Sequence, residues 1–351
     1  MRVAVGLSGG VDSTLTALLL KEQGHEVIGL TMALYNEEIP NMKVAGDACY
    51  GPTEKQDIKE VQAWCKSIGI PHHVINLSEP YKKTVLKYFR DTYLSGATPN
   101  PCIMCNAGMK FGLLIDEAKK QVSFDKFATG HYARIETTSK GFVLARGIDP
   151  KKDQSYFLYR LTQEQLARTL FPLGGYTKQQ VRDMAKQRGL AVADKADSQD
   201  FYAGDYADLL LVADKEGQIV LTNGKILGKH KGFWHYTIGQ RKGLGIAYPE
   251  PLYVVDLDAK HNRVIVGVES ETKRTACDIV QPVLGVAINT KKKFECLVKY
   301  RSAGQLVPAT VTKQGSDMWH VEFNTPQKSL TPGQSAVFYD KDIVLGGGII
   351  K

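Results

Sequence analysis

The sequence predicts an α/β protein: a parallel sheet wrapped by helices, then a smaller unit, then a set of short strands. Three observations carry this. Apolar strand-like runs alternate with helical patterns through the first two hundred residues. The segments shorten after about residue 205. From residue 276 onward, strand-length runs are separated by turn residues, the pattern of a small β-barrel or sandwich. A length of 351 residues suits two or three domains.

The elements follow in order. Residues 2–7 (RVAVGL) and 26–33 (EVIGLTMA) are near-continuous apolar runs, as strands buried on both faces are. Between them, residues 12–23 carry Leu15, Leu18, Leu19 and Leu20 at helical spacing. Strand-like runs recur at 72–77 and 124–130, and helical patterns lie at 55–68, 79–95 and 106–121. Strand–helix–strand repetition places a ligand site beyond the carboxyl ends of the strands. Residues 224–245 are rich in Gly and Lys (GKILGKHKGFWHYTIGQRKGLG). The later strand-like runs are VLGVAIN, FECLVKYRS, LVPATVTK, MWHVEFN, QSAVFYD and DIVLGGGII.

Composition sets further bounds. With 43% hydrophobic and 23% charged residues, wholesale disorder is excluded. No apolar run reaches the roughly 18–20 residues of a membrane span. The opening MRVAVGLSGG lacks a secretory apolar core. A cytoplasmic protein with no membrane partner is therefore expected. Lys and Arg number 45 against 37 Asp and Glu, a formal charge of +8 that leans toward a polyanionic partner. The six cysteines (Cys49, Cys65, Cys102, Cys105, Cys277 and Cys296) are too sparse for a disulfide framework. In a reducing compartment Cys102-x-x-Cys105 marks metal-binding or redox chemistry.

The sharpest motif is Ser8-Gly9-Gly10-Val11-Asp12-Ser13, between a strand and a helix. Glycines let the backbone approach an anion, and the helix N-terminus offers N–H groups and a positive dipole end. Ser8 and Ser13 add hydroxyl donors, and Asp12 suits Mg2+ beside a pyrophosphate. The loop lacks the lysine of a Walker A motif. A Gly-rich turn that merely caps a helix is the bland alternative. The motif resembles the pyrophosphate loop of the N-type ATP pyrophosphatases, which split ATP between the α- and β-phosphates and adenylate a substrate.

Further stretches resemble one branch of that superfamily, the bacterial tRNA-uridine 2-thiolases. They are Asn100-Pro101-Cys102-Ile103-Met104-Cys105-Asn106, Ala128-Thr129-Gly130-His131-Tyr132-Ala133-Arg134 and Lys152-Asp153-Gln154-Ser155-Tyr156-Phe157. Asp197-Ser198-Gln199-Asp200, Thr237–Gly245, Thr331-Pro332-Gly333-Gln334-Ser335-Ala336 and Leu345–Ile350 follow in order. The resemblance implies a parallel-sheet N-type ATP pyrophosphatase domain (adenine nucleotide alpha hydrolase-like) at 1–204. A small central tRNA-binding domain at 205–273 and a C-terminal β-barrel at 274–351 would follow. It implies ATP-dependent 2-thiolation of the wobble uridine, U34, of tRNA. The uracil O2 is adenylated, pyrophosphate leaves, sulfur adds at C2 and AMP departs. ATP, Mg2+, tRNA and a sulfur donor, relay protein or cysteine desulfurase are the implied cofactors and partners.

The resemblance also assigns residues. Gly6, Leu7, Ser8, Gly9, Gly10, Val11, Asp12 and Ser13 would hold ATP, with Met32 and Gly130 lining the adenosine. Asn100, Pro101 and Cys102 would surround the target base, and His131 would touch the RNA or the base. Lys152, Asp153, Gln154, Lys299, Tyr300 and Gln334 match the family's tRNA contacts, and Gln240 and Arg241 lie in a cationic loop suited to phosphates. Asp12, Cys102 and Cys105 are the expected catalytic residues. The bland readings are a core residue for Met32, a satisfied histidine for His131 and solvated surface for Lys299 and Gln334.

The sequence departs from the family at the sulfur site. The family pattern reads Asn-Pro-Asp-x-x-Cys and, downstream, Asp-Ser-Gln-x-x-Cys. Here Cys102 replaces the Asp, Cys105 is the first cysteine and Tyr202 stands at the second. A phenol cannot carry sulfane sulfur, so the usual relay does not transfer. Two repairs are open. Cys102 and Cys105 can form the sulfur pair, one bearing the persulfide and the other resolving it. A helix beginning near residue 104 would lower a thiol pKa there. Alternatively Cys49, Cys102 and Cys105 ligate a [4Fe–4S] cluster with one open iron, as related thiolases of the superfamily do. Cys65 reads as a buried hydrophobe within a helix, and Cys277 and Cys296 as structural. Zinc lacks a fourth ligand nearby; His72 and His73 sit on a strand. Competing functions are an adenylating ligase resembling argininosuccinate synthetase, a non-enzymatic tRNA-binding module, and a thiolase acting on another uridine.

Overall fold

The computed structural model describes residues 1–35, 48–197, 201–285 and 292–351. The expected motif residues Ser198, Gln199 and Asp200, together with Gly46, Asp47 and the end of VLGVAIN, lie outside the described residues. The first half carries β1 (Arg2–Gly6), β2 (Glu26–Ala33), β3 (His72–Asn76) and β4 (Lys126–Ala128). A hairpin of β5 (Ala133–Thr138) and β6 (Gly141–Arg146) and a short β7 (Thr169–Leu170) follow. The parallel sheet runs β3-β2-β1-β4-β7. Val3, Ala4 and Val5 on central β1 have no exposed surface, which is why that run is apolar at every position. Strand order reverses at β1, so the crevice between the carboxyl ends of β1 and β4 is the switch point where such sheets bind ligands.

Helices cover the sheet at Val11–Glu22, Glu54–Ser67, 78–94 and 101–119. The last begins earlier than the spacing predicts. Asn100 accepts a hydrogen bond from the Ile103 N–H through Oδ1 (3.3 Å), and Pro101 occupies the first helical position. Cys102 and Cys105 therefore fall in the opening turns of the helix rather than in a loop before it. The predicted strand at 124–130 contracts to Lys126–Ala128, leaving Thr129, Gly130 and His131 free to turn toward the loop after β1.

Beyond Tyr206–Leu210, a short helix, come β8 (Gly217–Leu221), β9 (Ile226–His230), β10 (Tyr253–Asp258) and β11 (Arg263–Gly267). They form a four-stranded sheet, β10-β11-β8-β9, over Ile219, Val254, Val264 and Val266. The third unit holds β12 (Lys273–Leu284), β13 (Lys293–Lys299) and β14 (Val307–Lys313). It continues with β15 (Met318–Lys328), β16 (Ser335–Asp340) and β17 (Ile343–Ile350). Pairing of β12 with both β15 and β17 closes these six into a barrel, which removes free edges. The β5–β6 hairpin from the first half joins this sheet at β17.

The barrel interior packs Ile279, Val298, Val311, Val321 and Phe338, with Trp319 stacked on Phe338 at 6.4 Å between centroids. Truncating fully buried Phe338 to Ala should cost about 3–5 kcal/mol, the usual loss for a buried aromatic. Denaturant titration followed by Trp319 fluorescence checks it, as an earlier barrel transition in Phe338→Ala.

The barrel also docks on the first unit. Gln334 Nε2 donates to the carbonyls of Thr98 (3.1 Å) and Pro99 (3.0 Å), and the Thr98 N–H donates to the Pro332 carbonyl (2.8 Å). Gly333 has φ +87°, and a Cβ there would sit 2.6 Å from the Thr98 carbonyl oxygen. Only glycine allows this approach. The Tyr156 hydroxyl donates to the Ser335 carbonyl (3.0 Å) and closes the same interface.

Candidate functional site

The loop after β1 is shaped for an anion. Gly9 has φ +77°, in the left-handed region open to glycine. Gly10 ends the turn, and no side chain caps the helix Val11–Glu22, so its first N–H groups face outward. The Ser8 N–H donates to Ser13 Oγ (3.3 Å), and Ser13 Oγ donates to the Gly10 carbonyl (3.1 Å). Ser8 is exposed at the mouth, whereas Leu7, Val11 and Ser13 are buried beneath it. Gly6 ends β1. Met32 sits half-buried near the end of β2 against the core.

Gly130 closes the crevice from the β4 side. A Cβ there would lie 2.8–3.0 Å from Asp12 main-chain and Cβ atoms, so glycine is required by the loop's proximity. Asp12 has both carboxylate oxygens engaged. Tyr132 OH donates to Oδ1 (2.8 Å), and Lys178 Nζ reaches Oδ1 (2.8 Å) and Oδ2 (2.9 Å). Lys178 also pairs with Asp197 (2.7 Å), which takes Lys152 (2.6 Å) and Arg182 (3.3 Å) as well. Burial alone would raise the Asp197 carboxyl, but its bonds from Lys152 and Lys178 outweigh burial and hold it below the ordinary carboxylate range. Burial, then Asp12, pushes the Tyr132 phenol far above its ordinary value, so it remains a donor. The expected Mg2+ ligand is thus paired with an ammonium in this state. A carboxylate at the mouth of an anion loop still fits Mg2+ arriving with ATP, provided Lys178 yields.

From this loop, ring contacts lead to the helix that carries the thiols. His131, next to Gly130, packs against Phe111 (5.7 Å) and Phe171 (5.9 Å), and its Nδ1 lies 2.8 Å from Thr129 Oγ1. Lys110 acts electrostatically on both His131 and Cys105. Cys105 opens a widened, π-type stretch, Cys105–Leu113, a distortion frequent at functional sites. Gln165 Nε2 donates to the carbonyls of Ala107 (2.9 Å) and Phe111 (3.0 Å) there. Asn100 is buried and its N–H donates to Tyr88 OH (3.3 Å). Pro101 is buried and Cys102 half-buried.

The expected lowering of a thiol pKa at this helix start does not hold for Cys105. Burial pushes its thiol up to about 11; Lys110 opposes this and Cys49 adds to it. Cys49, Cys102 and Cys105 all bear on the phenol of buried Tyr81. The Tyr50 N–H donates to the Phe201 carbonyl (2.9 Å), which brings Cys49 beside the segment holding Tyr202. Tyr202 is buried and donates to Asp208 (3.1 Å), a packing role. Among the described residues no three His, Cys, Asp or Glu side chains gather as a metal group. Cys65 is buried on the helix Glu54–Ser67, its thiol raised by burial to about 11. Cys277 and Cys296 lie on β12 and β13, both raised by burial to about 12.

Several expected RNA contacts are spent inside the protein. Asp153 has a fully buried carboxylate that binds Arg146 and the N–H groups of Gly147 and Ser155. Lys299 is buried beside Asp153 and Arg146 and is no solvated surface group. Gln154 Oε1 accepts from the Tyr132 N–H (2.9 Å), and Tyr300 OH donates to Gln327 (3.2 Å). Gln240 bonds the Thr237 N–H and the Lys242 carbonyl, and Arg241 is exposed beside it. Of that set, Lys152 and Arg241 present charge nearest the surface. Sequence reasoning missed Lys178 and the roles of Tyr132 and Asp197. Thr177-Lys178-Gln179-Gln180 reads as a helix start, and the capping box is present, but nothing in it points to Asp12.

His131 gives a pH test. Burial, then Lys110, holds its pKa well below 6.5, so the folded protein keeps the ring neutral while the unfolded chain protonates it. This contribution to stability is full above pH 6.5 and falls below it, by at most about 1.4 kcal/mol per pH unit. Denaturant midpoints at pH 7.5, 6.0 and 5.0 should fall less steeply in His131→Gln than in the wild type.

A parallel sheet with an anion loop at its switch point, followed by a four-stranded unit and a closed barrel, defines an ATP pyrophosphatase-type protein with two appended domains. Residues 1–202 match a family model described as tRNA methyl transferase HUP domain. Residues 210–268 match the tRNA methyl transferase PRC-barrel domain, and 275–350 the aminomethyltransferase beta-barrel domain. The chain is 47% identical to the tRNA-specific 2-thiouridylase MnmA of Endomicrobium trichonymphae, covering 100% of this chain and 99% of the relative. It is 42% identical to the enzyme of the same name from Aquifex aeolicus, over 100% and 99%. A solved 4-thiouridine synthetase–RNA complex with bound ATP overlaps at a TM-score of 0.38 and 15% identity, covering 60% of this chain and 45% of that one, too loosely to assign anything. The chain belongs to the tRNA-specific 2-thiouridylase family.

Proposed function

We propose that this protein thiolates tRNA uridine at C2 at the expense of ATP, acting on the wobble position U34. The observation that supports it is the route from the anion loop through Gly130 and His131 to Phe111, on the same π-type stretch that opens with Cys105, within one chain similar to 2-thiouridylases end to end. The family model's description names methyl transfer. A methyl donor arrives already activated and needs no α–β cleavage of ATP, whereas an adenylating thiolase does.

In the proposed reaction the uracil O2 attacks the α-phosphorus of ATP. The α–β bridging bond breaks and pyrophosphate leaves. The loop N–H groups and Ser8 hold the phosphates, and Mg2+ comes with ATP. A terminal persulfide sulfur on Cys105 then adds at C2 and AMP departs. Cys102, one helical turn away, attacks the Cys105 sulfur, releases 2-thiouridine and forms the Cys102–Cys105 disulfide. A thiol reductant restores the pair by two electrons. The persulfide itself comes from a sulfur donor, a relay protein or a cysteine desulfurase. A [4Fe–4S] cluster on Cys49, Cys102 and Cys105 is the other form of this sulfur site; the steps above do not pass through it. Lys152 and Arg241 are proposed phosphate contacts, in a cytoplasmic enzyme whose units divide at 204/205 and 273/274.

The test is anaerobic purification, iron and acid-labile sulfide analysis, and thiolation of unmodified tRNA with ATP. The expected result is tRNA-dependent AMP and pyrophosphate release with 2-thiouridine formed. Iron near four per chain, lost in Cys49→Ala, Cys102→Ala and Cys105→Ala, establishes the cluster form. Iron-free protein that thiolates leaves the dithiol. ATP cleavage driven by an amino acid instead of tRNA overturns the proposal.

A further inference from the structure

The thiols that would do the sulfur chemistry are not the ones a donor reaches first. Cys102 and Cys105 are half-buried, packed against the core cluster that holds Tyr50 and Tyr81, whereas Cys49 alone of the six cysteines is exposed. Contacts carry Cys49 toward the other two. Tyr50, the next residue, is buried and stacks on Tyr81, with 5.6 Å between centroids and 20° between planes. Tyr35 meets Tyr50 edge-on at 5.5 Å, and the Tyr50 N–H donates to the Phe201 carbonyl (2.9 Å). The Tyr50 ring is thus held from several sides, and the backbone of Cys49 with it. The helical run 78–94 that contains Tyr81 lies against the Cys105 stretch, where Thr84 Oγ1 donates to Met109 Sδ (3.5 Å). Cys49 accordingly acts electrostatically on Cys105, and all three thiols act on the Tyr81 phenol. Tyr202, beside Phe201, is buried, bonded to Asp208 and carries no thiol. Cys65, Cys277 and Cys296 belong to other core clusters.

We propose that Cys49 is the entry thiol, which takes sulfane sulfur from a persulfide-bearing protein and passes it inward to Cys105. Thiol exchange depends on access as well as on nucleophilicity, because the attacking sulfur must meet the S–S bond directly. A cysteine on a donor protein meets Cys49 at the surface, but Cys105 only by entering the core. In the first step the Cys49 thiolate attacks the terminal sulfur of the donor persulfide. A Cys49 S–S bond forms, the donor's S–S bond breaks, and the donor leaves as a thiol that keeps the proton. In the second, the Cys105 sulfur attacks the terminal sulfur of the Cys49 persulfide. The S–S bond moves to Cys105, and Cys49 takes back a proton. Neither transfer needs an oxidant or a reductant. The inference rests on the thiolation proposed above, in its cluster-free form, and adds the residue by which sulfur enters.

The test uses reduced full chains without oxygen: wild type, Cys49→Ser, Cys49→Ala and Cys105→Ser, with Cys65→Ala as the control for losing a cysteine elsewhere. Circular dichroism confirms folding, and two substitutions at Cys49 guard against a local defect in one of them. Glutathione persulfide is the probe. Samples are alkylated at intervals, digested and read by mass spectrometry for one extra sulfur on each cysteine. In wild type and Cys65→Ala the extra sulfur should appear on Cys49 first and on Cys105 later. In Cys105→Ser it should stay on Cys49. In both Cys49 variants Cys105 should load at least about tenfold more slowly. Loading of Cys105 at the wild-type rate without Cys49 overturns the proposal, as does sulfur that never leaves Cys49 in wild type. Iron near four per chain, lost in both Cys49 variants, overturns it too, since Cys49 then holds a metal rather than sulfur in transit. Sulfur that passes from Cys49 to Cys105 in a protein that makes no 2-thiouridine from tRNA and ATP supports the relay and sinks the proposed function instead.

Discussion

Cys105→Ala should abolish 2-thiouridine formation, by at least about a thousandfold, while tRNA-dependent pyrophosphate release persists. In the proposed reaction adenylation precedes sulfur transfer and uses the loop, not the thiol. The two activities should separate because Asp12 lies in the loop after β1 and Cys105 opens the π-type stretch Cys105–Leu113 on another helix. Mass spectrometry of digested tRNA and a coupled pyrophosphate assay read them in one reaction. Cys65→Ala should leave both intact, since Cys65 packs with Val3, Val61 and Ile70 in a core cluster separate from the one Cys105 joins. If Cys105→Ala thiolates normally, the sulfur assignment is wrong. The high thiol pKa adds a corollary. With a pKa near 11 Cys105 is protonated at neutral pH, so sulfur loading should quicken as pH rises, until another group titrates.

Asp12→Ala should stop the earlier step. It removes a carboxylate that three donor contacts now satisfy, leaves the Tyr132 phenol without its acceptor, and leaves Lys178 with Asp197. Pyrophosphate release should fall about a hundred- to a thousandfold, the range for removing one preorganised electrostatic partner. Thiolation falls with it, because no adenylate forms. Asp12→Asn should recover folding but not rate, since an amide accepts from Tyr132 yet carries no charge for Mg2+. Rates within threefold of wild type in Asp12→Ala would remove Asp12 from the chemistry.

Local features were the legible ones. β1, its loop and the helix after it follow from an apolar run, two glycines and leucines at helical spacing, each interaction spanning a few residues. The strand runs of the barrel were legible for the same reason. The helix start at Pro101 was missed although Asn100-Pro101 is a cap signal, because the Cys-x-x-Cys motif drew the boundary to itself. What sequence could not supply were pairings across distance. Lys178 meets Asp12 across 166 positions, and no periodicity encodes that. Burial was equally hidden for Asp153 and Lys299. Their types suggest solvent, and only the packing of Arg146 between the hairpin and barrel explains why they are inside. Tyr202 was read as a lost cysteine; the fold adds that Tyr50 pairs with Phe201 and so brings another cysteine beside it.

The grip of Gln334 on Thr98 and Pro99 has a temporal meaning. These partners are 236 and 235 positions apart. During synthesis at about 5–20 residues per second, the segment carrying Cys102 and Cys105 waits on the order of 10–50 s for its brace. The nucleotide crevice can assemble well before that. A growing polypeptide can thus complete its anion loop before the segment of Cys102 and Cys105 is braced from the barrel.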